Sequence, residues 1–265
     1  MREFLFAMIF LPLLASARIH YAKLEPVETY VIKSAVSGEV VFADEEREGH
    51  IGTDAPIVRI DDRVDRAQRE ALGVTLEVLQ ETLRLTEDMI ENQEAVYARD
   101  RDYYLRTKDL KTKSRTEKDR IFATMSASKN QLLSLKEKMA GLKRQIAETK
   151  YQIVQLQDRI EKKSVAAKSL YIYRVAVRKG DYVNPGTPLL TAMDLRRGRL
   201  VLFLDGDEVE GLAKKRIYLD GKETDLEFAK VIRVADDVHI SSYRAEVILE
   251  RPEGLFSKLL KVEIK

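Results

Sequence analysis

A three-four apolar repeat runs through the second half of a helical stretch extending from Asp62 to Val165. Ile121, Met125, Ser128, Leu132, Leu135, Met139, Leu142, Ile146, Thr149, Ile153, Leu156 and Ile160 share one heptad register. A seam only two residues wide per heptad cannot close a globular core, so it requires a partner helix. The chain supplies one just upstream, from Arg63 to about Tyr104. There Leu72, Leu76, Leu79, Leu83 and Ile90 keep the same spacing, and Gln93, Tyr97 and Asp100 continue it in weaker form. The break is Lys111-Thr112-Lys113-Ser114, and Ser114 with Glu117 reads as a capping box opening the second helix. So short a connection makes the helices antiparallel neighbours. Each arm of about 45–50 residues spans roughly 70 Å, more than a small domain's diameter, and the hairpin must project.

The segments on either side of the hairpin share a plan. Before it, Val31 to Phe42 is β-branched and punctuated by Gly38, and Arg47 to Asp61 follows. After it comes Arg178 to Asp194. Both of the latter run from a charged residue through Gly, a turn and Pro into an apolar strand closed by Asp. Gly49 and Gly180 permit positive φ in the turn, and Pro56 and Pro188 start strands where a missing N–H does no harm. Two half-motifs around a hairpin predict one small β domain whose halves meet. Arg199 to Leu204, Ile217 to Lys222, Phe228 to Val234, Tyr243 to Leu249 and Leu259 to Ile264 are further short strands with polar turns, which suggest a small barrel. The fold class is therefore α+β.

The ends and the composition narrow the setting. Phe4 to Ala15 is apolar and Ala15-Ser16-Ala17 is a small-x-small site, which reads as a secretory signal peptide cleaved after Ala17; a retained N-terminal anchor is the alternative. The chain has no Cys, which excludes disulfides, thiolate metal sites and a lipid-modified cysteine. At 34% charged residues and net charge +2 it has no overall pull toward nucleic acid. The expected setting is a bacterial periplasm.

With those features assembled, the chain resembles the HlyD-type periplasmic adaptor family, the membrane fusion proteins. Gly180 to Leu190 is similar to the second half of their lipoyl-like (biotinyl-like) domain, and Ser34 to Asp61 more loosely to the first. The resemblance implies a split lipoyl-like β domain carrying an inserted antiparallel coiled-coil hairpin, followed by a β-barrel domain. It divides the chain into residues 1–17 (signal peptide), 18–61 (N-terminal extension and first half), 62–165 (hairpin), 166–195 (second half) and 196–265 (barrel). The chain looks too short for the further membrane-proximal domain of many relatives. The implied partners are an inner-membrane transporter, a TolC-type outer-membrane channel and other copies of the chain, as a trimer or hexamer.

The hairpin tip is the main site candidate. Arg106, Lys108, Lys111, Lys113 and Arg115 crowd it, opposed by Asp109. In the family the tip docks the channel through an Arg, a Leu four residues on, and then a Ser. Arg106 and Leu110 match, while Ser114 stands three residues sooner than in the usual pattern. An Arg can bridge to a carboxylate or carbonyl of the channel, and a Leu can fill a groove between its helices; the plain alternative is a solvated basic turn. The coiled-coil seam residues are Leu76, Leu79, Leu83 and Ile90 with Leu132, Leu135, Met139, Leu142, Ile146, Ile153, Leu156 and Ile160.

Other chemistry finds little support. A lipoyl or biotinyl carrier needs a modified lysine between the half-motifs, but the hairpin occupies that place. Lys162, Lys163 and Lys168 read as ordinary helix-end lysines. His20, His50 and His239 lack ligand spacing and read as surface residues, and Met125 and Met139 belong to the seam. Asp61-Asp62 and Asp236-Asp237 complete no catalytic constellation, and no phosphate loop or nucleophile elbow occurs. No enzyme activity, cofactor or metal is expected. Beside the adaptor stands one other reading, a periplasmic coiled-coil scaffold or regulator of cell-wall enzymes.

Overall fold

The computed structural model describes residues 18–234, 242–252 and 254–265. The expected signal segment, together with Asp236, Asp237 and His239, lies outside the described residues.

Before the hairpin the chain forms β1 (Ile19–Lys33), β2 (Gly38–Ala43) and β3 (Val58–Ile60). Two long helices follow, α1 (Arg63–Thr107) and α2 (Arg115–Lys162). Four strands come next: β4 (Ser164–Val165), β5 (Tyr171–Val175), β6 (Tyr182–Val183) and the long β7 (Pro188–Leu204). The remainder is α3 (Gly206–Val209), β8 (Ile217–Leu219), β9 (Lys222–Thr224), β10 (Phe228–Ile232), β11 (Tyr243–Glu250) and β12 (Leu259–Ile264).

Among the described residues the strands build two hydrophobic cores. One is built from both sides of the hairpin: Val40, Ile57, Val58 and Ile60 from before it, and Ala167, Ile172, Val183, Leu189, Leu190 and Ala192 from after it. The small sheet β4-β3-β2-β6 mixes the two halves in the same way. Backbone hydrogen bonds cross in both directions. Gly49 N–H donates to Ile172 C=O and Gly180 N–H donates to Val40 C=O, each at 2.8 Å. Both glycines sit at positive φ, 82° and 96°, as the turn requires. Ile57 N–H to Val165 C=O and Ile60 N–H to Lys163 C=O, also at 2.8 Å, bring the crossing to the foot of α2.

The second core lies among β1, β7, β8, β11 and β12. Leu200, Leu202 and Leu204 of β7 face Ala245, Val247 and Leu249 of β11 and Leu260, Val262 and Ile264 of β12. The period-two alternation in each strand puts these residues on one face. In sheet order the strands run β10-β11-β7-β1-β12-β8-β9, with β5 added beside β7.

The chain after residue 17 is not a loose extension. β1 pairs with β12 at its start and with β7 from Leu24↔Leu200 to Lys33↔Pro188. A register shift between Pro26 and Glu28 marks the change from one core to the other. The expected boundary between residues 195 and 196 falls inside unbroken β7. Two long paired strands thus run through both β units, and the alternation of buried residues breaks at the junction, where Arg196 and Arg197 of β7 and Glu28 to Val31 of β1 are exposed.

Gly52 is the tightest crossing point. Its N–H donates to Leu170 C=O at 2.8 Å, and its carbonyl accepts from Ser169 N–H at 2.9 Å. A Cβ on Gly52 would lie 2.1 Å from the Ala167 carbonyl oxygen, a backbone atom that cannot rotate away. Gly52→Ala is expected to destabilise the protein by about 3 kcal/mol, the upper end for overpacking. Chemical denaturation followed by circular dichroism measures it, with Gly73→Ala, where the added Cβ meets nothing within 4 Å, as the control.

Candidate functional site

The hairpin is held at its base by charge as well as by packing. Asp65, in the first turn of α1, has an 8% exposed side chain, and Lys163, at the end of α2, has one 11% exposed. The Lys163 ammonium lies 2.5 Å from Asp65 Oδ2, a contact ion pair off the line of a hydrogen bond, and it donates to the Asp61 carbonyl at 2.6 Å. Arg159 reaches Asp65 Oδ1 at 3.1 Å from the solvent side. Asp61 in turn accepts from the Arg63 guanidinium at 2.7–3.2 Å and from the Arg63 backbone N–H at 3.1 Å. Those two contacts hold the Asp61 carboxyl down at about 2. Lys163 is therefore not an ordinary helix-end lysine: it ties the start of α1 to the end of α2. Of the other two lysines, Lys162 pairs with Asp158 within its own helix and Lys168 with Asp54.

Along the arms, contacts between Arg69 and Gln157, Gln93 and Ser128, and Tyr104 and Phe122 set the helices antiparallel. Leu132, Leu135, Leu142, Ile146, Leu156 and Ile160 are buried on α2, and Ile90 on α1. Leu76, Leu79, Leu83, Met139 and Ile153 are half-buried. At mid-height Ile90, Leu132 and Leu135 form a cluster covered by Tyr97 and Met139. Thr86 is 1% exposed, with its hydroxyl donating back to Thr82 C=O at 2.8 Å. It occupies a seam position between Leu83 and Ile90, where a search confined to apolar residues passes over it. Asp65 and Lys163 leave no local signal, because they are far apart in sequence.

At the tip, α1 runs to Thr107, three residues beyond the expected end near Tyr104. The Thr107 hydroxyl donates to Tyr103 C=O at 2.8 Å, and the side chain is buried against the turn. Tyr104 and Phe122 close the helix pair with ring centroids 5.6 Å apart. Ser114 caps α2: its Oγ accepts from Glu117 N–H at 3.3 Å while Glu117 Oε2 accepts from Ser114 N–H at 3.1 Å. The Ser114 N–H and the Lys113 ammonium lower the Glu117 pKa. Arg106 is 70% exposed and pairs with Asp102 at 3.1 Å, and Leu110 is 45% exposed. Of the three predicted tip residues, Arg106 and Leu110 point outward, whereas the Ser114 hydroxyl is engaged in capping. The tip is also less positive than the loop sequence suggests. Asp102 and Glu117, one turn away on the helices, pair with Arg106 and Lys113.

Elsewhere, His20 is half-buried rather than on the surface. Its Nε2 lies 2.8 Å from Glu208 Oε1, beside Arg18, which reaches Asp205 and Asp207. His50 is exposed, with Nδ1 3.1 Å from Glu48 C=O. Among the described residues no group of three or more His, Asp or Glu is placed to hold a metal ion. No described helix is long and apolar enough to cross a membrane.

No protein-family model and no curated protein matches the chain. Solved structures do. MacA from Actinobacillus actinomycetemcomitans superposes with a TM-score of 0.67 at 14% identity, over 94% of this chain and 78% of that one. The membrane fusion protein Spr0693 from Streptococcus pneumoniae R6 gives 0.59 at 8% identity, over 94% and 97%. A MacA-MexA chimera carrying the Pseudomonas aeruginosa MexA α-hairpin gives 0.57 at 13%, over 94% and 81%. The chain has the fold of the membrane fusion proteins.

Lys163→Met leaves Asp65 buried with only Arg159 opposing it and is expected to cost about 3 kcal/mol in urea unfolding. Asp65→Leu combined with Lys163→Met removes both charges and should recover most of that loss. A double variant as unstable as the single one would contradict the pairing.

Proposed function

We propose that the chain is a periplasmic adaptor of a tripartite efflux or secretion system, working by assembly rather than catalysis. The carrying observation is geometric. A two-helix hairpin with arms of 45 and 48 residues stands on a stitched β unit and ends in a short turn presenting Arg106 and Leu110. At about 1.5 Å per residue each arm reaches roughly 70 Å, a distance suited to joining partners in two membranes. The shared fold of the membrane fusion proteins supports this reading.

In this reading the β unit around Val40 and Leu190 is the split lipoyl-like domain, 18–61 with 166–195. The hairpin 62–165 is a coiled coil, and 196–265 is the adaptor barrel sharing β7 with its neighbour. Residues 1–17 direct export and are removed after Ala17. The β units meet an inner-membrane transporter, the tip meets a TolC-type channel, and the copies assemble as a trimer or hexamer. Arg106 supplies the directed charge at the tip and Leu110 the apolar anchor, while Ser114 shapes the turn that presents them.

Arg106→Glu with Leu110→Asp should abolish export in cells while leaving the free energy of unfolding within about 0.5 kcal/mol of the parent, since both side chains are exposed. A cysteine at either position should crosslink to the outer-membrane channel. Normal export with no such crosslink would reject tip docking. Chained cells with intact export would favour the cell-wall regulator instead.

A further inference from the structure

α1 carries a glycine that nothing else in the chain calls for. Gly73 lies inside the 45-residue helix, where glycine is among the poorest helix formers. It is not at positive φ, and a Cβ placed on it would meet nothing within 4 Å. The missing side chain therefore serves neither a turn nor a close approach of the two helices. What it does is open one side of the hairpin near its foot. A groove of about 790 Å³ lies there between α1 and α2, with Gly73, Val74, Ile153 and Val154 as its apolar lining. Val74 and Val154 are 58% and 64% exposed.

Charge surrounds that lining unevenly. Glu70, Gly73, Val74 and Glu77 follow the three-four spacing that sets residues along one side of a helix, and both carboxylates line the groove. Other acids near the foot are matched: Asp61 and Asp62 by Arg63 and Arg66, Asp65 by Lys163, and Asp158 by Lys162. Arg69, a cation of the lining, donates to Gln157 at 2.5 Å, and Gln157 donates to Glu161 at 2.8 Å. Among the described residues no ion pair or hydrogen bond takes up the carboxylate of Glu70 or Glu77. Farther along the same side, the Arg66–Asp62 pair below and the Arg84–Glu81 pair above, both at 2.7 Å, close the groove off. The stretch from Glu70 to Glu77 rises about 10 Å. That length and volume suit a compact ligand. A second helix would have to lie across the ion pairs at both ends.

We propose that this groove binds a small cationic amphiphile. Its apolar body lies over Gly73 against Val74, Ile153 and Val154, and its positive charge meets Glu70 or Glu77. Glycine lets a flat ring reach the helix backbone, where any side chain would hold it off. The two carboxylates are exposed, so their attraction is screened by salt and selects the sign of the charge, while the apolar lining supplies the burial. The inference goes beyond the adaptor reading and does not depend on it, since every residue it uses lies on the hairpin.

Fluorescence anisotropy on the full chain tests the site with two dyes of similar ring size, tetramethylrhodamine ethyl ester as the cation and fluorescein as the anion. The cation should bind saturably, and Gly73→Leu, which fills the groove, should weaken it about tenfold by denying the apolar contact. Circular dichroism of Gly73→Leu should show the parent helix content, since the added Cβ is unobstructed. Glu70→Gln with Glu77→Gln is the independent second variant, expected to weaken binding about fivefold at low salt and to remove most of its salt dependence. Fluorescein should show no binding that Gly73→Leu alters. No saturable binding, or equal binding by the parent and both variants, as for dye held on the apolar N-terminal residues, would overturn the site. Fluorescein bound as tightly as the cation would overturn the charge selection. Loss of self-association in Gly73→Leu with dye binding unchanged would also overturn the proposal and give the groove to a second copy of the chain.

Discussion

The structure depends on backbone pairing between two segments separated by the whole hairpin. Gly49, Gly52, Ile57 and Ile60 each donate to a carbonyl of the segment after α2, and Gly180 donates back to Val40. Until those bonds form, neither half has a complete core, because Val40, Val58 and Ile60 share one cluster with Ile172, Leu189 and Leu190. Closing a loop of that length through disordered chain costs several kcal/mol, and the cost grows only slowly with length. A self-pairing hairpin shortens the effective loop, since two antiparallel helices deliver their outer ends to the same place. The Asp65–Lys163 pair and the bond from Lys163 to the Asp61 carbonyl sit at that delivery point.

The same arrangement makes the hairpin a lever rather than a tether. Its foot is fixed by backbone bonds and a nearly buried ion pair, and its middle by Ile90, Leu132 and Leu135. Its end is closed by the Tyr104–Phe122 contact and the capping box at Ser114. Order therefore extends to the turn carrying Arg106 and Leu110. Presenting them from a fixed turn lowers the entropy that binding must overcome. The paired strands β1 and β7 run from the first β unit into the second.

Much of this was legible in the sequence because periodicity and turn chemistry are local signals. The α2 seam could be read residue by residue from Leu132 to Ile160, and Gly49 and Gly180 announced the matching turns. What escaped was set by contacts distant in sequence. The part of β1 before Val31 read as an extension because its partners, β7 and β12, lie at the far end of the chain. Lys163 read as a routine helix-end cation because its partner Asp65 lies at the other foot of the hairpin. Thr86 was hidden by its chemistry, and the charge of the tip was overstated because Asp102 and Glu117 fold back onto it.

The central claim is that the hairpin works as a spacer of fixed length. Removing one heptad from each arm at the same height keeps the seam in register and shortens the projection by about 10 Å. Export measured in cells with this variant, alongside its unfolding curve, is the most direct test. The account predicts a folded protein whose export is lost. Export at the parent rate from a folded, shortened hairpin would contradict it.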